Sequence, residues 1–205
     1  RTSPDSWQGA GGDALEWMQE AKSQTGIAIS TEVNNASTIE ETLKIGFDIL
    51  WIGSRNSAYF PLLDEVGRQT SSKQIPIILK RGMGSELDEW LVVADYIRKH
   101  NPNVILCERG IKGFNKSTRN TLDLQTAKVA QIESGLPVII DVSHASGRRD
   151  LILPMAMAAK AAGFNGLMIE THPDQDTAKT DSKQQISLSD FETLMAKLNT
   201  ISSQI

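Results

Sequence analysis

Six short apolar runs, rich in β-branched residues, recur along the chain at fairly regular spacing. Several of them are almost continuously hydrophobic, which is typical of strands that are covered on both faces, as in a parallel sheet. The six runs cover residues 27–33, 49–53, 75–80, 104–107, 137–141 and 166–170. We therefore predict a parallel sheet at the centre of the fold.

Amphipathic segments with helical periodicity lie between these runs. The predicted helices cover residues 13–23, 85–99, 122–132, 151–162 and 187–198. In the fourth of them, Pro154 stands in the first turn and Gly163 follows the last residue, as is common in helices. Alternating strands and helices imply parallel pairing with right-handed crossovers. No linker or low-complexity tract divides the chain, so we predict one domain over residues 1–205.

Each predicted strand ends in a charged or polar cluster. A TIM barrel gathers such groups at the carboxyl ends of its strands, whereas a doubly wound sheet would carry a glycine-rich phosphate loop after its first strand. Neither G-x-G-x-x-G nor G-x-x-x-x-G-K-[ST] occurs in the sequence. The pattern therefore predicts an α/β fold of the (β/α)8 TIM-barrel type. Such a barrel has eight strands in about 250 residues, so we expect its first two strands to be missing from this chain.

Composition narrows the possible partners. The net charge of -4 gives no general attraction to nucleic acid or to anionic membranes, and no stretch is apolar enough to span a bilayer. Cys107 is the single cysteine, so an internal disulfide is impossible, which fits a reducing compartment. We expect a cytoplasmic protein, without nucleic-acid or membrane partners, in which local basic groups hold any anionic substrate.

Three basic residues close three consecutive predicted strands. Because carboxyl ends of barrel strands share one rim, Arg55, Lys80 and Arg109 could converge on a phosphate or carboxylate. The alternative is that they pair with neighbouring acids such as Glu32 and Glu108. Three such residues on consecutive strands favour anion binding. Weaker candidates are Arg81, Arg148 and Arg149.

A second candidate site involves His144, which ends one strand, Glu170, which ends the next, and Asp181 in the polar loop beyond. An imidazole and two carboxylates form a plausible site for a divalent first-row metal. Their spacing alone leaves two alternatives open. Either His144 is a rim histidine satisfied by other partners and Asp181 a solvated loop acid, or His172 is the ligand in place of His144. We assign no metal or catalytic role to Cys107, because a lone strand cysteine usually belongs to the core.

Longer strings around these residues carry a family resemblance. The chain resembles 3-deoxy-D-arabino-heptulosonate 7-phosphate (DAHP) synthases of the type I-beta group, from residue 1 to about residue 190. The matching strings are Arg-Thr-Ser-Pro-Asp-Ser-Trp-Gln-Gly (1–9), Ile-Gly-Ser-Arg-Asn (52–56), Leu-Lys-Arg-Gly-Met (79–83), Asn-Pro-Asn-Val-Ile-Leu-Cys-Glu-Arg-Gly (101–110), Thr-Arg-Asn-Thr-Leu-Asp-Leu (118–124), Ser-His-Ala-Ser-Gly-Arg-Arg-Asp (143–150) and Leu-Met-Ile-Glu-Thr-His-Pro-Asp (167–174).

The resemblance implies how the substrates are held. Arg55, Lys80 and Arg109 match the family's contacts to the phosphate of phosphoenolpyruvate. Arg1 and Thr2 match the end of a Lys-Pro-Arg-Thr motif that helps to hold erythrose 4-phosphate. Lys80 is also expected to act in catalysis. The implied reaction joins C3 of phosphoenolpyruvate to the aldehyde carbon, adds water at C2 and releases phosphate, as in the first step of the shikimate pathway.

The resemblance also implies a metal cofactor. His144, Glu170 and Asp181 match three of the family's four metal ligands, and His144 is a second expected catalytic residue. The ion would be divalent (Mn²⁺, Zn²⁺, Fe²⁺ or Co²⁺), and it would polarise the aldehyde as a Lewis acid. The family commonly forms homodimers or tetramers, so we expect a homo-oligomer.

Three departures from the family pattern keep alternatives open. The family's fourth metal ligand, a Cys in a Gly-Pro-Cys motif, is absent, as is the Lys before Pro-Arg-Thr. We expect both in an upstream segment; without them the chain could be a barrel that binds phosphorylated ligands without turnover. Val142 replaces the family's usual Pro and is similar to 3-deoxy-D-manno-octulosonate 8-phosphate (KDO8P) synthases, which use arabinose 5-phosphate. The strings at 1–4 and 118–123 favour DAHP synthase.

Overall fold

All six predicted strands are present. The computed structural model describes residues 5–7 and 9–201, so Arg1 and Thr2 lie outside the described residues. Five of the strands are shorter than their apolar runs, because the runs continue into the adjoining loops, whereas the fourth strand extends one residue beyond its run. The strands are β1 (Ser30–Glu32), β2 (Ile49–Ile52), β3 (Ile77–Lys80), β4 (Val104–Glu108), β5 (Val138–Asp141) and β6 (Gly166–Met168).

Helices separate successive strands, and all five predicted helices are confirmed with small shifts at their ends. The sequence pattern did not single out α2, α3 and the five-residue α6. Short 3₁₀ turns cover Ser71–Lys73 and Arg149–Leu151. The α-helices are α1 (Gly12–Thr25), α2 (Ala36–Ile45), α3 (Phe60–Thr70), α4 (Leu87–Arg98), α5 (Leu124–Ser134), α6 (Val142–Ser146), α7 (Ile152–Ala161) and α8 (Leu188–Asn199).

The strands follow one another in the sheet in chain order, from β1 to β6. The pairings β1–β2, β2–β3, β4–β5 and β5–β6 are parallel, with Thr31 opposite Leu50 and Ile140 opposite Leu167 as examples of the register. Parallel neighbours connected through helices form the repeated strand–helix–strand unit of α/β folds. The predicted parallel α/β fold is therefore confirmed, whereas two further strands upstream stay a prediction.

Contact density divides the chain into two compact units. One comprises the chain up to Leu79 together with Val92–Val104. Its core is formed by side chains without solvent exposure on α2, β2, β3, α3 and α4. At one point α3 and the end of α4 lie so close that a Cβ at Gly67 would meet the backbone oxygen of Ile97 at 2.7 Å, so only glycine fits there. The largest fully buried side chains are Ile39, Leu50, Ile52, Leu63, Ile77, Leu79 and Ile97.

The other unit comprises Lys80–Leu91 and the chain from Ile105 onward. Its core is formed by β4, β5, α7 and α8, together with the indole of Trp90 on α4. Its largest fully buried side chains are Trp90, Leu106, Ile140, Ile152 and Leu194. Among the helices in the described part of the chain, none combines the length and the apolar character needed to cross a membrane.

Candidate functional site

Asp141 joins two of the predicted site residues. It is the last residue of β5 and is fully buried. Its Oδ2 lies 2.8 Å from Nζ of Lys80, the last residue of β3, and 2.9 Å from Nδ1 of His144. Its Oδ1 accepts a hydrogen bond of 2.9 Å from the backbone N–H of His144 and thereby caps α6. The side chains of Lys80 and His144 are thus brought together around one carboxylate.

The charge of Asp141 follows from these neighbours. Burial acts to raise its pKa, but the contact with His144 and the charge of Lys80 outweigh burial, so the pKa of Asp141 is lowered. Nδ1 of His144 lies within bonding distance of Oδ2, although the contact is not aligned as a full hydrogen bond. A carboxylate beside one imidazole nitrogen is the usual support of a histidine that binds metal through its other nitrogen. Asp141 therefore leaves Nε2 of His144 available as a ligand.

Nε2 of His144 faces the two predicted carboxylate ligands. It lies 3.8 Å from Oε1 of Glu170, and one ligand atom each from His144, Glu170 and Asp181 lie within 4.8 Å of one another. Two ligand atoms that are each about 2.1 Å from a shared ion are at most about 4.2 Å apart. The three side chains therefore fit a divalent ion after a small closure.

The electrostatics of Glu170 also fit a cation. Burial is the main cause that raises the pKa of this half-buried carboxyl, and the charges of Asp181 and Asp141 raise it further. His144 and a hydrogen bond from Gln184 act in the opposite direction without cancelling the increase. A divalent cation would stabilise the ionised form, because an opposite charge a few ångströms away favours it.

Arg109 has no acidic partner in the part of the chain that the structure describes. It is buried, and its Nη1 donates to the backbone oxygen of Gly110 at 3.2 Å. Burial is the main cause that lowers the pKa of Arg109. The alternative that Arg109 pairs with Glu108 is wrong, since Glu108 pairs with Arg81 instead. A buried guanidinium without an acid is poorly compensated, which is the electrostatic condition that favours an anionic ligand.

Arg81, one of the weaker candidates, belongs to a separate buried cluster. Its Nη1 lies 3.0 Å from Glu108 and 3.0 Å from Asp123, and its guanidinium lies over the ring of Trp90. Its Nε donates to the backbone oxygen of Ser85. These contacts tie the ends of β3 and β4 to the starts of α4 and α5.

The other candidates lie elsewhere or have different partners. Arg55 is exposed in the loop after β2, in the first unit, so its convergence with Lys80 and Arg109 stays a prediction. His172 accepts a 3.0 Å hydrogen bond at Nδ1 from the backbone N–H of Asp174. Cys107 is fully buried, and burial raises the pKa of its thiol, as expected of a core cysteine.

Three polar residues at this site were not identified from the sequence: Asp141, Arg119 and Gln184. Asp141 carried a signal, since it stands at a strand end three residues before His144. Arg119 and Gln184 carried none, because their partners are far away along the chain: Nη1 of Arg119 contacts Asp181, 62 residues later.

Comparison with known proteins identifies the family. The model of the DAHP synthetase I family matches residues 1–205. The chain therefore belongs to this family.

Among curated relatives, a phospho-2-dehydro-3-deoxyheptonate aldolase from Thermotoga maritima is 38% identical over 206 residues, covering 100% of this chain and 60% of the relative. Two 2-dehydro-3-deoxyphosphooctonate aldolases are more distant. The one from Rhodopseudomonas palustris is 30% identical, covering 97% of this chain and 71% of the relative. The one from Methylococcus capsulatus is 27% identical, covering 98% and 73%.

Solved structures give the same result for the fold. The crystal structure of DAHP synthase from Thermotoga maritima aligns with a TM-score of 0.90 and 38% identity, covering 96% of this chain and 57% of that chain. A truncated form of the same synthase aligns with a TM-score of 0.88 and 37% identity, covering 95% and 72%. This chain thus spans about three fifths of the length of the Thermotoga maritima relative.

Proposed function

We propose that this chain belongs to the catalytic barrel of a DAHP synthase, which condenses phosphoenolpyruvate with erythrose 4-phosphate and releases phosphate. The observation that carries the proposal is the grouping of His144, Glu170 and Asp181 beside the pair formed by Lys80 and Asp141. The 38% identity to a phospho-2-dehydro-3-deoxyheptonate aldolase, over the whole chain, supports the same reaction.

In this proposal the buried cations bind phosphoenolpyruvate. Lys80 and Arg109, together with Arg55, hold its phosphate, and Arg1 and Thr2 help to hold erythrose 4-phosphate. The new bond forms between C3 of phosphoenolpyruvate and the aldehyde carbon, water adds at C2, and the C–O bond to phosphate breaks. Because Lys80 is buried, its charge is already in place where negative charge moves onto the leaving phosphate.

His144, Glu170 and Asp181 would hold the divalent ion. When bound, that ion would supply Lewis acidity toward the aldehyde oxygen. His144 presents Nε2 toward Glu170 while Asp141 holds its Nδ1 side. The donor set suits Mn²⁺, Zn²⁺, Fe²⁺ and Co²⁺ alike. The fourth ligand of the family, a cysteine, has no counterpart in this sequence.

The proposal extends to the setting of the enzyme. Residues 1–205 would form part of a single (β/α)8 domain, which is supported by the TM-score of 0.90 to the Thermotoga maritima synthase. We propose a cytoplasmic homodimer or homotetramer; the single, buried cysteine is compatible with a reducing compartment.

The second candidate is a KDO8P synthase, favoured by curated octulosonate relatives at 27–30% identity. Their lower identity places this reading behind the first. The residue similar to that sister group, Val142, is fully buried at the start of α6. A side chain without solvent exposure cannot contact a sugar phosphate directly, so Val142 gives no support for arabinose 5-phosphate.

The test is phosphate release from phosphoenolpyruvate by the full-length protein, with erythrose 4-phosphate and arabinose 5-phosphate assayed separately. We expect turnover with erythrose 4-phosphate, and a loss of about 100-fold or more in Glu170→Gln and His144→Ala. His172→Ala is the matched control and should keep its activity. Faster turnover of arabinose 5-phosphate would favour the second candidate. No turnover of either aldehyde and no Mn²⁺ binding would favour a barrel that binds phosphorylated ligands without catalysis.

A further inference from the structure

Arg119 is anchored to the short helix that carries His144. Its backbone N–H donates to the oxygen of Ser146 at 3.0 Å, and the next N–H, of Asn120, donates to the oxygen of Ala145 at 2.9 Å. The side-chain Nδ2 of Asn120 donates to the backbone oxygen of His144 at 2.9 Å. The position of Arg119 is therefore fixed relative to His144 by three hydrogen bonds.

The side chain of Arg119 runs across Gly147, the residue that ends α6. A Cβ at position 147 would collide with Cβ of Arg119, and Gly147 has a φ of 66°, which L side chains rarely adopt. Because Gly147 has no side chain, Arg119 has room to pass it and reach the loop between β6 and α8.

In that loop, one nitrogen of Arg119 is linked to both carboxylates of the candidate metal site. Nη1 lies 2.6 Å from Oδ1 of Asp181 and 2.8 Å from Oε1 of Gln184. Nε2 of Gln184, which is almost fully buried, donates in turn to Oε2 of Glu170. Arg119 therefore contacts one acid directly and the other through an amide.

Arg149 holds the backbone beside Asp181 by donating to the oxygen of Ser182 at 2.7 Å. Among the described residues, however, the carboxylate of Asp181 accepts a hydrogen bond from Arg119 alone. Residues 172–185 contain turns and bends but no helix or strand, and Asp181 has a positive φ of 52°. A carboxylate on such a loop has many orientations open to it, and ordering it opposes metal binding through lost conformational freedom. An ion pair that fixes the carboxylate before the metal arrives removes part of that loss.

We propose that Arg119 is a positioning residue of the metal site: it holds Asp181 directly, and Glu170 through Gln184, so that both face Nε2 of His144. The inference rests on the proposed metal-dependent function. It opposes a simple electrostatic expectation, because a positive charge beside two ligands should repel a cation. Substituting Arg119 should therefore weaken metal binding if its positioning role dominates, and strengthen metal binding if its charge dominates.

The experiment measures Mn²⁺ binding to the full-length protein by calorimetry, and the visible spectrum of the Co²⁺ form, which reports ligand geometry. We expect Arg119→Gln to bind Mn²⁺ about 10- to 100-fold more weakly, as is typical when a group that orients metal ligands is lost, and to alter the Co²⁺ spectrum. Arg119→Lys, which keeps the charge, should recover part of the affinity only if it also reaches Asp181.

Arg148→Gln is the matched control. Arg148 is half-exposed and pairs with Asp150 at 2.7 Å, without a hydrogen bond or ion pair to His144, Glu170 or Asp181. This variant should bind Mn²⁺ as the wild type does. Thermal unfolding of the metal-free variants separates the proposal from a general structural role, which would lower the melting temperature and leave the Co²⁺ spectrum unchanged.

Two outcomes overturn the positioning role alone: unchanged Mn²⁺ affinity in Arg119→Gln, or tighter binding. Absence of Mn²⁺ binding in the wild type overturns the proposed metal-dependent function and this inference together. If Arg119→Gln does not fold, Gln184→Met is the second variant, because it removes only the hydrogen bonds through which Arg119 is linked to Glu170. It should weaken Mn²⁺ binding less than the loss predicted for Arg119→Gln, and unchanged affinity in Gln184→Met overturns the relay through Gln184.

Discussion

Lys80 and Arg81 are consecutive cations at the end of β3, equally buried, yet they belong to clusters of different kinds. Side chains of consecutive strand residues point to opposite sides. Lys80 lies against Asp141 and, through it, His144. Arg81 lies against Glu108 and Asp123 and over the ring of Trp90.

The difference between the clusters lies in what their acids contact next. Asp141 contacts His144, which faces two further carboxylates. The contacts of Lys80 therefore lead to a group of side chains that could hold a metal ion. Asp123 instead caps α5 by accepting from the backbone N–H of Thr126, so its contacts continue into a helix and not into a site. We call the group of Arg81, Glu108, Asp123 and Trp90 the framework cluster. Burial and charge alone therefore do not identify a functional cation. The contacts that its acidic partner makes with other residues identify it.

Among the variants that compare the two clusters, Asp141→Asn is expected to have the largest effect. This change removes the charge between Lys80 and His144 and leaves Lys80 buried without that acid. Breaking a buried ion pair on one side costs about 3–5 kcal/mol of the free energy of unfolding. Because the support of His144 is lost as well, kcat of the folded protein should fall about 10- to 100-fold. Denaturant unfolding and phosphate release check the two effects separately. Full activity in Asp141→Asn would mean that Lys80 and His144 do not depend on Asp141.

Arg81→Met is the counterpart in the framework cluster, and we expect a smaller overall effect. It leaves Glu108 buried without its cation, so the free energy of unfolding should fall by about 3 kcal/mol. The kcat of the folded protein should stay at the wild-type value, because no Arg81 contact reaches His144 or Glu170. The same two measurements apply. A loss of kcat as large as in Asp141→Asn would show that the two clusters are coupled.

The sheet and five of the helices could be predicted because their signals are local. Apolar runs of strand length and stripes of helical period are properties of neighbouring residues. Helices α2 and α3, which the periodicity did not predict, also carry local signals. Asn35 forms a capping box with Thr38 at the start of α2, and Pro61 stands in the first turn of α3. Helix α1 shows the opposite case, since it was predicted although none of its residues is fully buried.

The candidate site could be predicted only in part, because its bonds join distant positions. Strand ends indicated Lys80, Arg109, His144 and Glu170, but nothing local indicates that Lys80 pairs with a residue 61 positions later. For the same reason, the sequence could not show that Glu108 forms its ion pair with Arg81 and not with Arg109. Which cation meets which acid depends on the side of the strand and on the register between strands.

The smallest expected effect concerns pH and the carboxyl of Glu108. Burial is the main cause that raises the pKa of Glu108 above its ordinary value of 4.5, and Arg81 offsets it only in part. Between pH 4.5 and this raised pKa, the folded protein binds more protons than the unfolded chain. The contribution of Glu108 to stability therefore falls as the pH increases.

Glu108→Gln cannot titrate, so it isolates this contribution. The difference in free energy of unfolding, wild type minus Glu108→Gln, should decrease as the pH rises from 4.5, by about 1.4 kcal/mol for each unit by which the pKa is raised. Denaturant unfolding of both proteins over a pH series measures it. Glu40→Gln is the control of opposite sign, because the hydrogen bond with Lys44 lowers the pKa of Glu40. Its difference should grow with pH, and only below about pH 4.5, so the pH series extends below that value. A difference that stays constant or grows with pH for Glu108→Gln would mean that Arg81 outweighs burial, and that the framework cluster is as well compensated as Asp141.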